Sequence, residues 1–226
     1  MRLFTLSDIH GNTHFIGKFA RKAQESNVNL IIIAGDITHF AGAEKAKSII
    51  NILKTGKLPV IFVPGNCDLP ETAKLITDDC FCLHNNFKIF GNYCFIGVGG
   101  SNPTPFGTLF ELREQDISKI LEEIANKVQN CKNLILISHF PPFNTKVDDI
   151  MGNAAQFAHH VGSEAIRKFI EKFKPRLVIC GHIHEGLGTD KIGETVIVNP
   201  GPAREGHFAI IEIDDSKIEV KLDSIS

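Results

Sequence analysis

Short, almost uninterrupted aliphatic runs recur along the chain, each ending abruptly in polar residues. Residues 2–6, 28–34, 59–63, 134–138 and 176–180 are such runs. They are too short for helices and rich in strand formers, the pattern of strands covered on both faces. Between them apolar positions fall at helical spacing. In residues 13–26, Phe15, Phe19 and Ala23 share one face, and residues 43–55, 111–130 and 163–173 also read as helices, so strand and helix alternate as in βαβ units. Residues 87–90 and 92–98 flank a Gly91-Asn92 turn signal and predict a hairpin. Residues 195–198, 208–213 and 217–222 predict closing, largely antiparallel strands with a turn at 214–216. The fold class is therefore mixed α/β, read as one domain over residues 1–226. The least patterned stretches, 101–110 and 140–162, are long loops of the kind that carry function.

With 226 residues, 43% hydrophobic and 22% charged, the composition is that of an ordinary globular protein and excludes extensive disorder. Lys+Arg total 24 against Asp+Glu 26, a formal charge of -2. No basic run exceeds two residues, so no stable nucleic-acid binding is expected. The apolar runs fall far short of the roughly 20 residues of a membrane span. The N-terminus lacks a signal-peptide pattern, and the fold is expected to begin at once. Six scattered cysteines (Cys67, Cys80, Cys82, Cys94, Cys131, Cys180) with no C-x-x-C pair predict reduced thiols and a cytoplasmic protein.

Candidate chemistry gathers at the strand ends. Five are followed at once by residues able to bind a metal: Asp8-Ile-His10, Gly35-Asp36, Gly65-Asn66-Cys67-Asp68, Ser138-His139 and Gly181-His182-Ile-His184. The carboxyl ends of parallel strands share one rim, so residues distant in sequence can converge there. Asp8 and His10, at i and i+2, leave their strand on the same side, and His182 and His184 repeat the arrangement. Any one of these is weak, since an Asp at a strand end caps a turn about as often as it does chemistry. Five in this order, each beside glycine or a small residue that lets the backbone turn sharply, form a strong joint signal.

The pattern D-x-H, G-D, G-N-x-D, a lone H and G-H-x-H resembles that of the calcineurin-like metallophosphoesterases, from Asp8 to His184. Gly35-Asp36-Ile-Thr38-His39-Phe40 and Ser101-Asn102-Pro103-Thr104-Pro105-Phe106 look like the small bacterial and archaeal branch of that family. The resemblance implies a mixed-sheet sandwich built from βαβ units and flanked by helices. It also implies one divalent ion held by Asp8, His10, Asp36 and His184, and a second held by Asp36, Asn66, His139 and His182, with Asp36 bridging. Two such cations repel, and a shared anionic oxygen offsets the repulsion. A thiolate-free set of oxygen and nitrogen donors suits Mn²⁺ first, with Fe, Zn²⁺, Ni²⁺ or Mg²⁺ as alternatives. The implied function is hydrolysis of a small phosphodiester, or a phosphomonoester, by attack of a metal-bridging hydroxide. The alternative is a non-catalytic scaffold of the same fold that binds partners. Self-association into a homo-oligomer is left open.

One position departs from the family pattern: Cys67 stands where a histidine is usual. A neutral thiol is a weak donor and does not copy an imidazolium acid. Cys67 reads either as a small apolar filler or as a catalytic group, and His39 is the candidate substitute acid. Asp68 reads as the cap of a helix starting near Pro70. Asn12 reads as fixing its turn, and Arg204 as a candidate phosphate contact. His14, His84, His159, His160 and His207 read as surface or supporting histidines. Phe106, Phe110, Phe140 and Phe143 lie in rim loops and are candidates to wall a pocket.

Overall fold

The protein is described by a computed structural model for residues 1–54, 58–77, 79–129, 131–150 and 159–226. Along the chain come β1 (Arg2–Leu6), α1 (Ile16–Glu25), β2 (Leu30–Ala34), α2 (Ala43–Leu53), β3 (Val60–Val63), β4 (Cys80–Cys82), β5 (Asn86–Phe90) and β6 (Tyr93–Val98). There follow α3 (Glu114–Lys127), β7 (Asn133–Ser138), α4 (Glu164–Phe173), β8 (Leu177–Ile179), β9 (Gly188–Ile192), β10 (Thr195–Asn199), β11 (His207–Ile213) and β12 (Ile218–Ser224). The strands form two six-stranded mixed sheets, ordered β12-β11-β1-β2-β3-β4 and β5-β6-β7-β8-β10-β9. Strands β1 to β4 run parallel, as do β6, β7, β8 and β10, and the antiparallel strands lie toward the edges.

The aliphatic runs are continuous because both faces of each central strand are covered. In β2, Ile31 and Ile33 pack with Phe19 and Ala23 of α1 and Ile49 and Ile50 of α2. The alternate residues Leu30, Ile32 and Ala34 meet Ile135 and Ile137 of β7 between the sheets. In β7, Leu134 and Leu136 turn the other way, toward Ile117 and Leu121 of α3 and Phe169 and Ile170 of α4. The result is four layers, helix, sheet, sheet, helix, with the parallel strands of both sheets at the centre. Ser163 caps α4 by accepting from the Ile166 amide.

Two strands escape the sequence pattern. β4 has only three residues, and edge strand β9 carries the half-exposed sequence Gly-Thr-Asp-Lys-Ile, so neither presents a hydrophobic run. Helix α3 begins later than residue 111 because Glu111 and Leu112 pair with Ser101 instead. Thr55, Asn130 and residues 151–158, which end or interrupt predicted segments, lie outside the described residues.

The expectation of six reduced thiols is corrected. Cys94 on β6 and Cys131 just before β7 form a disulfide, their Cα atoms 6.2 Å apart. The parallel pairing of β6 with β7 brings these cysteines together across 37 residues of sequence, a proximity that spacing alone does not reveal. Cys67, Cys80, Cys82 and Cys180 are free and buried. Thiol titration of protein unfolded without reductant is expected to give four free thiols, and six after reduction; six without reductant would refute the bridge.

Candidate metal centre

All five strand ends singled out in the sequence open onto one rim, three from the first sheet (β1, β2, β3) and two from the second (β7, β8). Backbone hydrogen bonds stitch their loops together. The amides of Asp8, His10 and Gly11 donate to the carbonyls of Gly35, Asp36 and Ile37 at 3.1, 2.8 and 2.9 Å. Across the seam between the sheets, the His182 amide donates to Asp8 Oδ2 at 3.0 Å. His139 Nδ1 donates to the Ala34 carbonyl at 2.8 Å, which turns its Nε2 toward Asp36.

Asp8, His10, Asp36 and His182 all have left-handed backbones, with φ of 56°, 49°, 49° and 67°. Such conformations cost roughly 1–3 kcal/mol each in a non-glycine residue and persist where the surroundings over-determine them. Each turns the chain sharply in the loop beyond its strand, at the rim. Two glycines make room: a Cβ on Gly65 would occupy the space of the Asp36 carboxylate, and one on Gly181 that of the Ser7 hydroxyl.

The two carboxylates are buried, Asp8 at 1% and Asp36 at 2% exposure. Asp36 directs its oxygens to different groups. Oδ1 accepts from the Cys67 amide at 2.8 Å and stands 3.4 Å from His139 Nε2, while Oδ2 stands 3.6 Å from His10 Nε2. Asp8 Oδ1 lies 3.8 Å from His10 Nε2 and 3.4 Å from His184 Nε2. Asn66 Oδ1 lies 3.0 Å from His139 Nε2. Two clusters result: Asp8, His10 and His184, and Asp8, Asp36 and His139. The His182 ring centroid is 5.0 Å from that of His139, so its ring borders the second cluster without entering it.

The donor set fits divalent cations. Asp8 Oδ1 and His10 Nε2 are buried and have no hydrogen-bond partner, a costly state that a shared ion removes. Ligand atoms about 2.1 Å from one cation stand about 3–3.5 Å from each other, close to the separations here. Burial opposes charge on Asp36, but His139 and His10 hold its carboxyl well below the usual range. Burial also opposes charge on His139, yet the Asp36 carboxylate raises it to about 9. His182 goes the other way, lowered to about 4 by burial and by His139.

Around this centre, Cys67 is nearly buried, its sulfur grouped with ring nitrogens of His10 and His39. Burial, and then the charge of Asp36, push its thiol far above its ordinary value, so it is a neutral thiol. His39 is exposed, its Nδ1 3.4 Å from His10 Nδ1. Asp68 does not cap the short 3-10 helix Pro70–Lys74, whose N-cap is Leu69. Its carboxylate instead accepts from the amides of Ile37, Thr38 and Gly65 and from the Thr38 hydroxyl at 2.7–3.0 Å, clasping the loops that carry Asp36 and Asn66. Asn12 Oδ1 accepts from the His14 amide, and its Nδ2 donates to the Arg204 carbonyl. Arg204 Nη2 lies 3.1 Å from His184 Nδ1. Phe140 is fully buried among the residues of α3 and α4 and walls no pocket, whereas Phe106 is 84% exposed. Asn199, where the sequence Asn-Pro-Gly-Pro reads as a rigid architectural turn, has that structural part: its amide donates to the Ile183 carbonyl at 2.7 Å and fixes the loop between His182 and His184. Sequence reasoning missed Thr108, which reaches Asn66 from 42 residues away with no local pattern to mark it.

The sequence model for calcineurin-like phosphoesterases matches residues 1–186. The chain belongs to that family. This calcineurin-like phosphoesterase is a metal-dependent phosphoric ester hydrolase, and its family implies divalent metal ions. It is 37% identical over 205 residues to an uncharacterized protein of Methanocaldococcus jannaschii, covering 89% of this chain and 88% of that one. It is 24% identical to a probable cyclic nucleotide phosphodiesterase of Vesicomyosocius okutanii, over 85% of this chain and 78% of the relative. Among solved structures, a protein of Thermus thermophilus superposes with a TM-score of 0.76 at 20% identity, over 97% of each chain. A dimetal phosphatase from Danio rerio superposes with a TM-score of 0.70 at 11% identity, over 99% of this chain and 96% of that one. No helix among the described residues is long and apolar enough to cross a membrane.

With His139 as an ion ligand, its raised imidazole would set the pH dependence of metal uptake by this phosphoesterase. An ion needs the Nε2 lone pair, so binding at pH 7 displaces a proton from a group that titrates near 9. Affinity is expected to weaken up to about tenfold per pH unit from pH 9 toward pH 7. The stabilising Asp36–His139 pair of the metal-free protein is fully present below pH 6.5 and lost as pH rises through 9. Calorimetric Mn²⁺ titrations in buffers of differing ionisation enthalpy measure this; uptake without proton release would refute it.

Proposed function

We propose that the protein is a two-ion phosphodiesterase acting on a small organic phosphodiester. Asp8, His10, Asp36 and His184 would hold one ion, and Asp36, Asn66, His139 and His182 the other. The observation that carries this reading is Asp36 itself, one buried carboxylate whose two oxygens face histidines of separate groups. Mn²⁺ is the first choice, since the donors are oxygens and imidazoles without a thiolate. When bound, the ions supply Lewis acidity toward phosphoryl oxygens and lower the pKa of water.

The chain's own residues do the remaining work. Asn66 contributes an uncharged carbonyl oxygen, leaving the centre positive enough to accept phosphate. Arg204, beside His184 and part-exposed, is placed to hold a phosphoryl oxygen. Exposed His39 is the imidazole available to protonate the leaving oxygen, because the Cys67 thiol is neutral and a weak donor. Exposed Phe40, Phe106 and Leu109 sit on the segments that carry His39 and Thr108 and suit an organic substituent. A diester is supported by two relatives, the probable cyclic nucleotide phosphodiesterase and a probable glycerophosphodiester phosphodiesterase of Arcobacter nitrofigilis, 25% identical over 69% of this chain and 56% of its own. A partner-binding scaffold has no use for Asp8 Oδ1 and His10 Nε2 buried without partners.

The test is turnover of bis(4-nitrophenyl) phosphate beside 4-nitrophenyl phosphate after metal removal and Mn²⁺ addition. The diester is expected to be the better substrate, and Asp36→Asn to lower its rate by on the order of a thousandfold. Cys67→His is expected to raise the monoester rate, by restoring a proton donor near the leaving oxygen. No metal-dependent turnover would sink the reading, and a faster monoester would sink the diester preference.

A further inference from the structure

Asn66 is the one proposed ion ligand whose two side-chain ends differ chemically, and only one can face a cation. Its carbonyl oxygen binds a metal, whereas its NH₂ group repels one. In the structure Oδ1 lies 3.0 Å from His139 Nε2, and Nδ2 lies 3.1 Å from Thr108 Oγ1. Thr108 sits in the long loop between β6 and α3. Its hydroxyl lies 2.7 Å from Glu111 Oε1, and its amide donates to the same oxygen at 2.7 Å. Thr104 donates its hydroxyl there too, at 2.6 Å.

These contacts run in one direction only. An ionised carboxylate has no proton to give, so the Thr108 hydroxyl proton must point at Glu111. Its oxygen is left as an acceptor, and the Asn66 group facing it must be NH₂. Turning the amide over would set Asn66 Oδ1 against the lone pairs of Thr108, or draw the hydroxyl proton away from Glu111. Burial works against charge on Glu111, but the bonds from Thr104 and Thr108 hold it at about 2, so the carboxylate stays ionised at neutral pH.

We propose that Thr108 and Glu111 are positioning residues that lock the Asn66 amide with its oxygen toward the second ion, through a donor chain from Asn66 NH₂ to Thr108 hydroxyl to Glu111 carboxylate. The inference rests on the reading of Asn66 as an ion ligand. It ties the loop carrying exposed Phe106 and Leu109 to the metal centre.

The experiment is calorimetric Mn²⁺ titration of the full chain and its variants at fixed pH, with thermal unfolding of each metal-free protein. Wild type is expected to take up two ions. Thr108→Val keeps the shape and removes the hydroxyl, and is expected to weaken the second ion about 10–100-fold while sparing the first. Thr108→Ser is expected to restore the second ion. Glu111→Ala, which removes the acceptor and frees the Thr108 hydroxyl proton to turn toward Asn66, is expected to weaken the second ion as well. In an Asn66→Asp background the ligand has no wrong end, so adding Thr108→Val should cause no further loss. Equal weakening of both ions with a lowered unfolding temperature would assign Thr108 a merely structural part and overturn the inference. So would two ions bound by Thr108→Val as tightly as by wild type. Uptake of a single ion by wild type is a different failure, because it removes the two-ion reading beneath both.

Discussion

Two carboxylates, Asp8 and Asp36, lie almost completely buried where the two sheets meet, and the surrounding construction answers the cost of putting negative charge there. A buried ion is tolerated only when paired and hydrogen-bonded. Asp36 receives the Cys67 amide on one oxygen and faces histidines from both sheets. Asp8 receives the His182 amide from across the seam. Neither sheet alone could complete the arrangement, since Asp8, His10, Asp36 and Asn66 follow strands of one and His139, His182 and His184 follow strands of the other. The aliphatic layer between the sheets therefore positions the site as well as stabilising the fold. Close-packed interiors transmit small shifts, and a slide of one sheet past the other would part the histidines from their carboxylates.

Much of this was legible in the sequence because the signals are local. The central strands announce themselves as short aliphatic runs, and the residue after each run is the one at the rim. The hairpin of β5 and β6 was marked by Gly91-Asn92, and α4 by the helical spacing over residues 163–173. What stayed hidden is long-range or weakly patterned. The disulfide joins cysteines 37 residues apart, and β9 offers alternating half-exposure rather than a run. Asp68 resembles a helix cap in sequence, yet its four donors come from loops after β2 and β3. Thr108 looks like an ordinary loop residue, and Glu111 like the start of a helix, until the fold sets the first against Asn66. Phe140 shares a loop with exposed residues, and only its packing under α3 and α4 removes it from the rim.

Cys67 shows how one substitution redistributes chemistry without disturbing geometry. Its backbone amide still serves Asp36, a task any residue except proline performs. Its side chain cannot act as a charged acid, because burial and the neighbouring carboxylate both oppose the thiolate and leave a weak neutral donor. In the proposed reaction proton delivery would pass to a group with access to solvent, and exposed His39 has its Nδ1 3.4 Å from His10 Nδ1. A leaving group that departs readily depends least on such delivery, which is why the thiol and the proposed preference for a diester belong to one argument.

On the proposed two-ion reading, a proton on His139 stands where a cation would bind. His139 Nε2 faces both Asn66 Oδ1 and Asp36 Oδ1, three ligand atoms converging on a point that a shared hydrogen can occupy. This is the physical content of an imidazole raised to about 9 in a fully buried place: the acceptors are arranged for positive charge, and the proton supplies it until an ion does. The first cluster has no such substitute. Burial lowers His10, and its Nε2 and Asp8 Oδ1 lack hydrogen-bond partners; burial opposes charge on Asp8 too, yet His184 and His139 hold its carboxyl below the usual range. On that two-ion reading the two halves are therefore unequal before any ion arrives: the cluster around Asp8, His10 and His184 would offer unpartnered donors, and the cluster around His139 would give up a proton.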